Sequence, residues 1–201
     1  MDQTLISAPQ ALRWLGMNPS SNLILVGPMG AGKTSIGKHL AARLGLVFVD
    51  ADREIEAQTG ASVAVIFDCE GEAGFRARER ELLTQLLARS GQVLATGGGA
   101  VLDADNRRLL RERGFVVHLH ADVSAQLARL ARDRSRPLLQ LKDRAAALHE
   151  HARTRAPLYA EVADLCYDTV GLSCTRAAAL LSELLSERWQ RTDTAPLDTG
   201  R

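Results

Sequence analysis

Short apolar runs alternate along the chain with longer segments in which apolar and charged positions mix at helical spacing. The runs cover residues 23–26, 47–49, 93–95, 115–119 and 165–167, and polar residues and Gly27 bound the first of them. Runs this short and continuously apolar indicate strands that are buried on both faces, as in parallel sheets. The pattern therefore predicts five strands.

The segments between these runs carry the end signals of helices. Gly114 suits a helix end and Asp122 suits an N-cap. Helices are predicted over 33–44, over 105–113, from Asp122 to about 131, from the end of a 132–142 loop to about 159, and over about 174–189. The segment 52–89 is predicted to be mostly helical, with breaks at Gly60 and Gly71. Strands that alternate with helices predict an α/β fold, with a parallel sheet covered on both faces.

The length of 201 residues suits one domain with a sizeable core. Residues 1–20 are expected to be an N-terminal extension, residues 21–189 the folded domain, and residues 190–201 a disordered tail. The charged segment 132–142, which contains Pro137, is the best candidate for a moving lid.

Composition excludes some classes of function. Lys and Arg number 25 and Asp and Glu number 24, so the net charge of +1 gives no general argument for binding nucleic acid or anionic membranes. No apolar run approaches the roughly 18 residues of a membrane-spanning helix, and the first residues do not resemble a secretory signal. We expect a cytoplasmic protein that binds neither nucleic acid nor membranes.

Cysteine and histidine residues do not indicate a metal site. Cys69, Cys166 and Cys174 have no metal-like spacing, and we interpret them as reduced, buried structural thiols. His118 and His120 lie two apart at a strand end, where a strand-surface role is favoured over a metal role because no further ligands cluster in the sequence.

The segment GPMGAGKT, residues 27–34, fits G-x-x-x-x-G-K-[ST] at every fixed position and lies between a predicted strand and a predicted helix. Glycines let backbone N–H groups surround phosphate oxygens, and the helix N-terminus adds a favourable potential. Lys33 is suited to neutralise the β- and γ-phosphates, and Thr34 offers a hydroxyl to Mg²⁺. An incidental glycine-rich turn is the alternative. The sequence has no Asn-Lys-x-Asp tetrad for guanine, which favours ATP.

Two carboxylates, Asp50 and Asp52, follow the second strand. Ligands of open α/β sheets bind beyond the carboxyl ends of the strands, so both carboxylates should face the same crevice as the phosphate loop. On an extended segment they would lie on the same side. One could contact hydrated Mg²⁺ and the other could orient a substrate hydroxyl. The alternative is that one of them simply caps the helix that follows.

Three glycines, Gly97, Gly98 and Gly99, follow the third strand, where proteins with this loop often carry an aspartate that helps to hold Mg²⁺. An ordinary turn is one interpretation. Three successive glycines also remove side chains from one surface, so that backbone groups can approach a small ligand. We predict that they form a substrate wall and that Asp50 supplies the carboxylate instead.

Three arginines are candidates for binding an anion. Arg76 lies three residues before Glu79 on one helix face, Arg136 precedes Pro137 in the predicted lid, and Arg155 begins the segment RAPLY. Arginine suits bidentate recognition of carboxylate or phosphate. Any one of them alone is more often a solvated surface residue, so only the shared pattern argues for a site.

Taken in order, the motifs GxxGxGKT, DxD, FRxxE, TGGG, RPLL and RxPLY resemble the shikimate kinase family over roughly residues 22–185. Segment 60–79 is similar to the helical substrate-binding segment of the family. The resemblance implies a P-loop three-layer α/β/α sandwich of the nucleoside-monophosphate-kinase type, with a five-stranded parallel sheet and a lid. It also implies transfer of the γ-phosphoryl of ATP to the 3-hydroxyl of shikimate, a step of chorismate and aromatic amino-acid biosynthesis.

Matched position by position, the resemblance implies a role for each candidate residue. The implied catalytic residues are Lys33, Asp52 and Arg136. The implied ATP-binding residues are Gly30, Ala31, Gly32, Lys33, Thr34, Ser35, Arg129 and Arg136, with Arg129 stacked on adenine. The implied shikimate-binding residues are Asp52, Arg76, Glu79, Gly97, Gly98, Gly99 and Arg155. Mg²⁺ is expected at Thr34 and, through water, at Asp50.

Two other functions stay open at this point. A gluconate kinase-like enzyme would share the phosphate loop and would also act on a polyhydroxy acid. A non-catalytic nucleotide-binding relative would keep the loop and lose turnover. The segment 170–175 has no convincing match to the adenine-binding Asn-Pro of the family. We expect a monomer whose partners are ATP and shikimate.

Overall fold

The computed structural model of the chain describes residues 20–131 and 143–191. Five parallel strands form one sheet in the order β2-β3-β1-β4-β5. Their bounds are β1 Leu23–Val26, β2 Val47–Asp50, β3 Gln92–Ala95, β4 Phe115–His120 and β5 Leu165–Asp168. All five predicted strands are confirmed, each to within one residue at either end.

Seven helices connect and follow these strands within the described ranges. They are α1 Lys33–Leu44, α2 Ala51–Thr59, α3 Val63–Leu87, α4 Ala104–Arg113, α5 Val123–Leu130, α6 Arg144–Val162 and α7 Cys174–Arg188, with a short 3₁₀ turn at Ala100–Leu102. The predicted breaks are confirmed: Gly60 ends α2 at φ 68°, and Gly71 kinks α3 at φ 69°. Helix α6 runs three residues past its predicted end because Tyr159 and Val162 are buried against the sheet.

The sheet separates two apolar clusters, so the domain has three layers. Leu23 and Leu25 of β1 belong to the cluster under α1 and α7, whereas Ile24 and Val26 belong to the cluster under α2, α3, α4 and α6. Successive side chains of a strand point to opposite faces, which explains why β1 is apolar at every position. Burial of each large aliphatic side chain stabilises the fold by about 1.5–3 kcal/mol.

The register of the sheet brings three strand ends to one edge. Ala95 of β3 pairs with Leu25 of β1 on one side and with Asp50 of β2 on the other. The loops that follow these strands therefore begin side by side. This edge collects the phosphate loop, the two aspartates and the three glycines.

Three predicted segments fall wholly or largely outside the described residues. These are the extension at 1–20 except for Ser20, the lid at 132–142, and the tail at 190–201 except for its first two residues. The Trp189 indole donates a 2.7 Å hydrogen bond to the backbone carbonyl of Ser20, so the two ends of the described domain meet. Within the described ranges, no helix is long and apolar enough to cross a membrane.

The predicted burial of the cysteines is wrong. Cys69 and Cys166 are exposed and Cys174 is partly exposed, and all three are free thiols in the described structure. Cys69 lines an open cavity that α3 forms with α2, and Cys166 lies on β5, an edge strand of the sheet. Among the described residues, no further helix or strand covers either cysteine. The local sequence does not reveal this exposure.

The predicted surface position of His118 is also wrong. Its side chain is buried, its ring stacks on Tyr159 with centroids 4.8 Å apart, and its Nδ1 lies 3.6 Å from the Cys166 sulfur. Burial lowers the pKa of His118 to about 4, and the charges of His120 and Lys33 act in the same direction. The imidazole is therefore neutral at physiological pH. No group of three or more potential metal ligands occurs among the described residues.

This buried imidazole makes the stability of the fold depend on pH. Between about pH 4 and pH 6.5 the unfolded chain binds a proton at His118 that the folded chain does not, so the free energy of unfolding should rise with pH across that window. In His118→Phe the ring is kept and the titration is removed, so this rise should shrink by roughly 1–3 kcal/mol. Urea unfolding of the native protein and of His118→Phe at about pH 4.5 and about pH 7.5 measures the change in the free energy of unfolding. An equal rise in both proteins would contradict the assignment.

Candidate active site

The phosphate loop joins β1 to α1 in a conformation that depends on glycine. Gly27, Gly30 and Gly32 have φ values of 141°, 78° and 94°, which L side chains rarely adopt. Gly32 is the N-cap of α1, and Ala31 before it is fully buried. The predicted loop residues thus lie together, with Ser35 exposed in the first turn of the helix.

Lys33 begins α1 and lies across this loop. Its ammonium donates hydrogen bonds to the carbonyls of Gly27 at 2.7 Å and Pro28 at 2.9 Å. The ammonium is therefore held inside the loop, at the place where the oxygens of a bound phosphate would lie. This arrangement suits an anion better than any neutral ligand.

Asp50 has two roles in the structure. Its carboxylate accepts a 2.7 Å hydrogen bond from the Thr34 hydroxyl and, more weakly, a 3.4 Å bond from the backbone N–H of Arg53. The helix-cap interpretation therefore holds for Asp50, whose carboxylate also lies beside the phosphate loop; its contact with Mg²⁺ stays a prediction. The expected extended segment is wrong, because Asp50 ends β2 whereas Asp52 lies in the first turn of α2.

A pocket of about 270 Å³ opens beside the loop. Asp52 lines it from α2, Arg76 and Glu79 from α3, and Arg155 from α6, and Gly97, Gly98 and Gly99 form one wall. All the predicted substrate-binding residues are thus brought together. A larger cavity of about 560 Å³ lies between α2 and α3 and contains none of the predicted site residues.

Arg76 and Glu79 form a buried ion pair. Glu79 is only 1% exposed and accepts a 2.5 Å hydrogen bond from Arg76, which also contacts Glu72 at 3.3 Å. Burial raises the pKa of Glu79, and the charge of Arg76 opposes this rise. Among the described residues, the second carboxylate oxygen of Glu79 and Nε of Arg76 have no hydrogen-bond partner. The ion pair therefore orients Arg76, and these two buried atoms beside the pocket are left without a hydrogen bond to any described residue.

The three glycines are closely packed against charged side chains. A Cβ on Gly97 would lie 2.6 Å from Glu79 Oε1 and 2.9 Å from Asp52 Oδ1, and a Cβ on Gly99 would lie 2.6 Å from Arg76 Cζ. A Cβ on Gly98 would meet the carbonyl of Gly27 at 3.5 Å, an ordinary contact. Gly97 and Gly99 thus make room for the charged groups themselves, which sequence reasoning did not foresee.

Arg155 and Tyr159 meet at the middle glycine. The carbonyl of Gly98 accepts hydrogen bonds from Arg155 Nη1 at 3.3 Å and from the Tyr159 hydroxyl at 2.5 Å. Tyr159 is buried, and this burial raises its pKa to about 12. The sequence pattern assigns this tyrosine no role, although its place at the end of the motif RAPLY was an available signal.

The apolar lining of the pocket was not predicted from the sequence. Phe67 and Phe75 stack with ring centroids 4.6 Å apart, and the Arg76 guanidinium lies 5.3 Å from the centre of the Phe75 ring. Met29, Val63, Glu72 and His151 complete the lining. The apolar members follow a helical pattern that is indistinguishable from an ordinary core pattern, so only Phe75, adjacent to Arg76, carried any signal.

Arg129 ties the phosphate loop to the loop that follows β5. Its guanidinium donates to the carbonyl of Gly30 at 2.9 Å and to the hydroxyl and carbonyl of Thr169 at 2.9 Å and 2.6 Å. This holds the arginine at the mouth of the loop, and its predicted stacking on adenine stays a prediction. Arg136 lies outside the described residues.

Comparison with known proteins identifies the family. A family model described as shikimate kinase matches residues 29–186. A shikimate kinase of Xanthomonas campestris pv. campestris is 55% identical over 178 residues, which cover 89% of this chain and 99% of that protein. A shikimate kinase of Stenotrophomonas maltophilia is 54% identical over 90% of this chain and all of that protein.

Solved structures of shikimate kinases resemble this chain in fold. A shikimate kinase from Acinetobacter baumannii in complex with shikimate superposes with a TM-score of 0.79 at 47% identity, over 84% of this chain and 95% of that one. A shikimate kinase from Aquifex aeolicus gives a TM-score of 0.68 at 28% identity, over 83% and 98% of the two chains. The predicted P-loop α/β/α fold with a five-stranded parallel sheet is confirmed, and the chain belongs to the shikimate kinase family, whose members are ATP-dependent small-molecule kinases.

Proposed function

We propose that this protein transfers the γ-phosphoryl of ATP to the 3-hydroxyl of shikimate, giving shikimate 3-phosphate and ADP. One observation carries the proposal: the pocket with two arginines directly adjoins the phosphate loop. A Cβ on Gly98, in the pocket wall, would lie 3.5 Å from the Gly27 carbonyl and 3.6 Å from the Met29 N–H nitrogen. An acidic substrate in this pocket would therefore lie next to a phosphate held by the loop.

The ATP side of the proposal uses the loop and the residues that brace it. Backbone groups from Gly30 to Ser35 would surround the phosphates, and Lys33 would balance their charge. Arg129, held to Gly30 and Thr169, would border the nucleotide. Arg136, in the segment predicted to close as a lid, stays a predicted ligand of the transferring phosphate.

The residues near the loop also fit Mg²⁺. The Thr34 hydroxyl and the Asp50 carboxylate lie 2.7 Å apart, and oxygen groups of this kind are the ligands that Mg²⁺ prefers. Mg²⁺ commonly takes one or two protein ligands and completes its shell with water and substrate phosphates. When bound, it would supply positive charge to the β- and γ-phosphates. Thr34 would hold it directly, and Asp50 through water.

In the substrate pocket, each charged side chain would have a defined partner. Arg76 and Arg155 would bind the carboxylate, since arginine suits bidentate recognition of that group. Glu79 would keep Arg76 in place, and the wall of Gly97, Gly98 and Gly99 would border the ring. The carboxylate of Asp52 would then orient the attacking hydroxyl.

The chemistry that follows is direct in-line transfer. The hydroxyl oxygen forms a bond to the γ-phosphorus while the bond to the β-bridging oxygen breaks, and the hydroxyl proton passes to Asp52. Phosphoryl transfer depends mainly on positioning and charge stabilisation. Lys33 and Arg136 would stabilise the charge that develops on the transferred group.

The test is a coupled assay of ADP release with shikimate, with gluconate and with neither. ADP release that needs shikimate supports the proposal, and a product with phosphate on the 3-hydroxyl, identified by NMR, completes it. Turnover with gluconate alone would instead favour the gluconate kinase-like alternative. Tight ATP binding without turnover on either acid would favour the non-catalytic alternative.

The glycine wall supplies a more selective test. In Gly99→Ala the new methyl group would collide with the Arg76 guanidinium, so the KM for shikimate should rise roughly 10–100-fold while the KM for ATP changes less than about threefold. Gly98→Ala is a comparison within the same wall: its methyl group meets only ordinary protein contacts, so any loss there would come from contact with the bound substrate and not from displacement of Arg76. Steady-state kinetics with each substrate varied in turn measure both. Equal losses for both substrates in Gly99→Ala would contradict a wall on the shikimate side.

The remaining expectations concern the protein in the cell. The proposed reaction uses two water-soluble substrates, which supports a cytoplasmic protein that works without a membrane or nucleic acid. All the described pocket-lining residues come from one chain, which supports a monomer. Size-exclusion chromatography with light scattering would measure the oligomeric state.

A further inference from the structure

His151 is a lining residue of the pocket that the proposed mechanism does not use. It lies on α6 one helical turn before Arg155, so both side chains project from the same face. His151 Nε2 lies 3.3 Å from Arg155 Nη2, and the imidazole is partly buried. The arginine is therefore held from two sides, by His151 at one terminal nitrogen and by the Gly98 carbonyl at the other.

The chemistry of this contact defines the state of the imidazole. A guanidinium group can only donate hydrogen bonds, so Nε2 of His151 must accept. An accepting Nε2 requires a neutral ring whose proton is on Nδ1, a tautomer that we assign from this contact. A protonated ring would instead place two donors and two positive charges against each other.

The charges around His151 come from two helices. Arg155 and Glu150 face it from α6, and Arg76 and Glu72 face it from α3. Burial lowers the pKa of His151 and is the largest cause; the two arginines lower it further, and the two glutamates oppose them. The ring is thus neutral at neutral pH and becomes charged only in more acidic solution.

We propose that neutral His151 is a positioning residue that holds Arg155 in the orientation needed to receive the substrate carboxylate, and that protonation of His151 weakens substrate binding. This inference rests on the proposed function, in which Arg155 binds the carboxylate of shikimate. It adds a residue that tunes the affinity for the acidic substrate without touching the transferred phosphate.

The first test compares acceptors at position 151. At about pH 8, His151→Ala should raise the KM for shikimate roughly 5–20-fold and change kcat less than about twofold, because it removes a hydrogen bond to a charged group and spares the reacting atoms. His151→Gln offers an oxygen near the position of Nε2 and should restore the KM to within about threefold of the native value. His149→Ala, an exposed histidine on the same helix, is the control. Equal KM values for the Ala and Gln variants would overturn the proposal.

The second test is the pH profile. In the native protein the KM for shikimate should rise as the pH falls from about 7 to about 5, and this rise should be absent in His151→Gln. A native KM that falls in acid and loses this dependence in the Gln variant would overturn the proposal, since it would assign direct binding of the carboxylate to the imidazolium. Identical profiles in both proteins would also overturn it.

A third measurement separates this inference from the proposed function. ¹⁵N NMR of the native protein without substrate should show His151 as the Nδ1–H tautomer, with a pKa below the ordinary value of 6.5. An Nε2–H tautomer would overturn the positioning role even if shikimate is phosphorylated. Absence of shikimate-dependent ADP release by the native protein would instead reject the function itself.

Discussion

Lys33→Ala is expected to reduce kcat by roughly 10²–10³-fold, the size of loss seen when one charge-stabilising group is removed from an active site. The ammonium lies within 2.7 Å and 2.9 Å of two loop carbonyls, so it is already held where phosphate charge would develop. Because that charge increases on the transferring group, losing the cation raises the barrier more than it weakens binding of ATP.

The measurement is steady-state ADP release at saturating shikimate and ATP, together with thermal unfolding. Lys33 also satisfies the carbonyls of Gly27 and Pro28, and leaving them unpaired can cost about 1–3 kcal/mol of stability. The melting temperature therefore separates lost folding from lost catalysis. Lys38→Ala, which removes an exposed lysine from the same helix, should keep native turnover. Near-native kcat in a folded Lys33→Ala protein would reject the assignment.

Asp52→Asn should lower kcat by roughly 10²–10⁴-fold, the usual contribution of a general base. The amide keeps the shape of the side chain and can still bond substrate hydroxyls, but it cannot take a proton at neutral pH. The KM for shikimate should consequently change much less than kcat. Asp52 lines the pocket beside Gly97, so the substitution can affect both kcat and the KM for shikimate, and the two effects can be compared.

Pre-steady-state and steady-state rates across pH would test this role. The native rate should depend on the ionisation of an acidic group that the Asn variant lacks. Glu54→Gln, two residues further along α2, is a matched loss of one carboxylate and should leave kcat within about twofold of native, because Glu54 does not line the pocket. If Asp52→Asn lowered only the affinity for shikimate, Asp52 would be a binding group and not the base.

The strands and the phosphate loop could be predicted from the sequence because their causes are local. A strand buried on both faces must be apolar at each position, as in Leu23–Val26. The loop needs glycine at positions with positive φ, as Gly30 and Gly32 show. The breaks at Gly60 and Gly71 follow from the same property of glycine.

The candidate site could be predicted only in part. Arg76 and Arg155 were found through a pattern of motifs, although each arginine alone resembles a surface residue. Tyr159 was given no role because its partner, the Gly98 carbonyl, lies 61 residues away in the sequence. His151 was given no role although Arg155 is only four residues away, because the pocket that both residues line exists only in the folded chain. The buried state of His118 was missed because its ring is covered by Tyr159 of α6, a contact between residues that are distant in the sequence.

The sequence alone determined the order of strands and helices along the chain, the phosphate loop and most of the charged groups that line the pocket. These depend on residue type and spacing, which act over a few residues. Only the tertiary structure decided that Gly97 and Gly99 lie against Asp52, Glu79 and Arg76, and that Gly98 receives both Arg155 and Tyr159. The reason is physical: the parallel sheet places the ends of β1, β2 and β3 side by side, and the packing of α3 and α6 against that edge sets the distances between side chains.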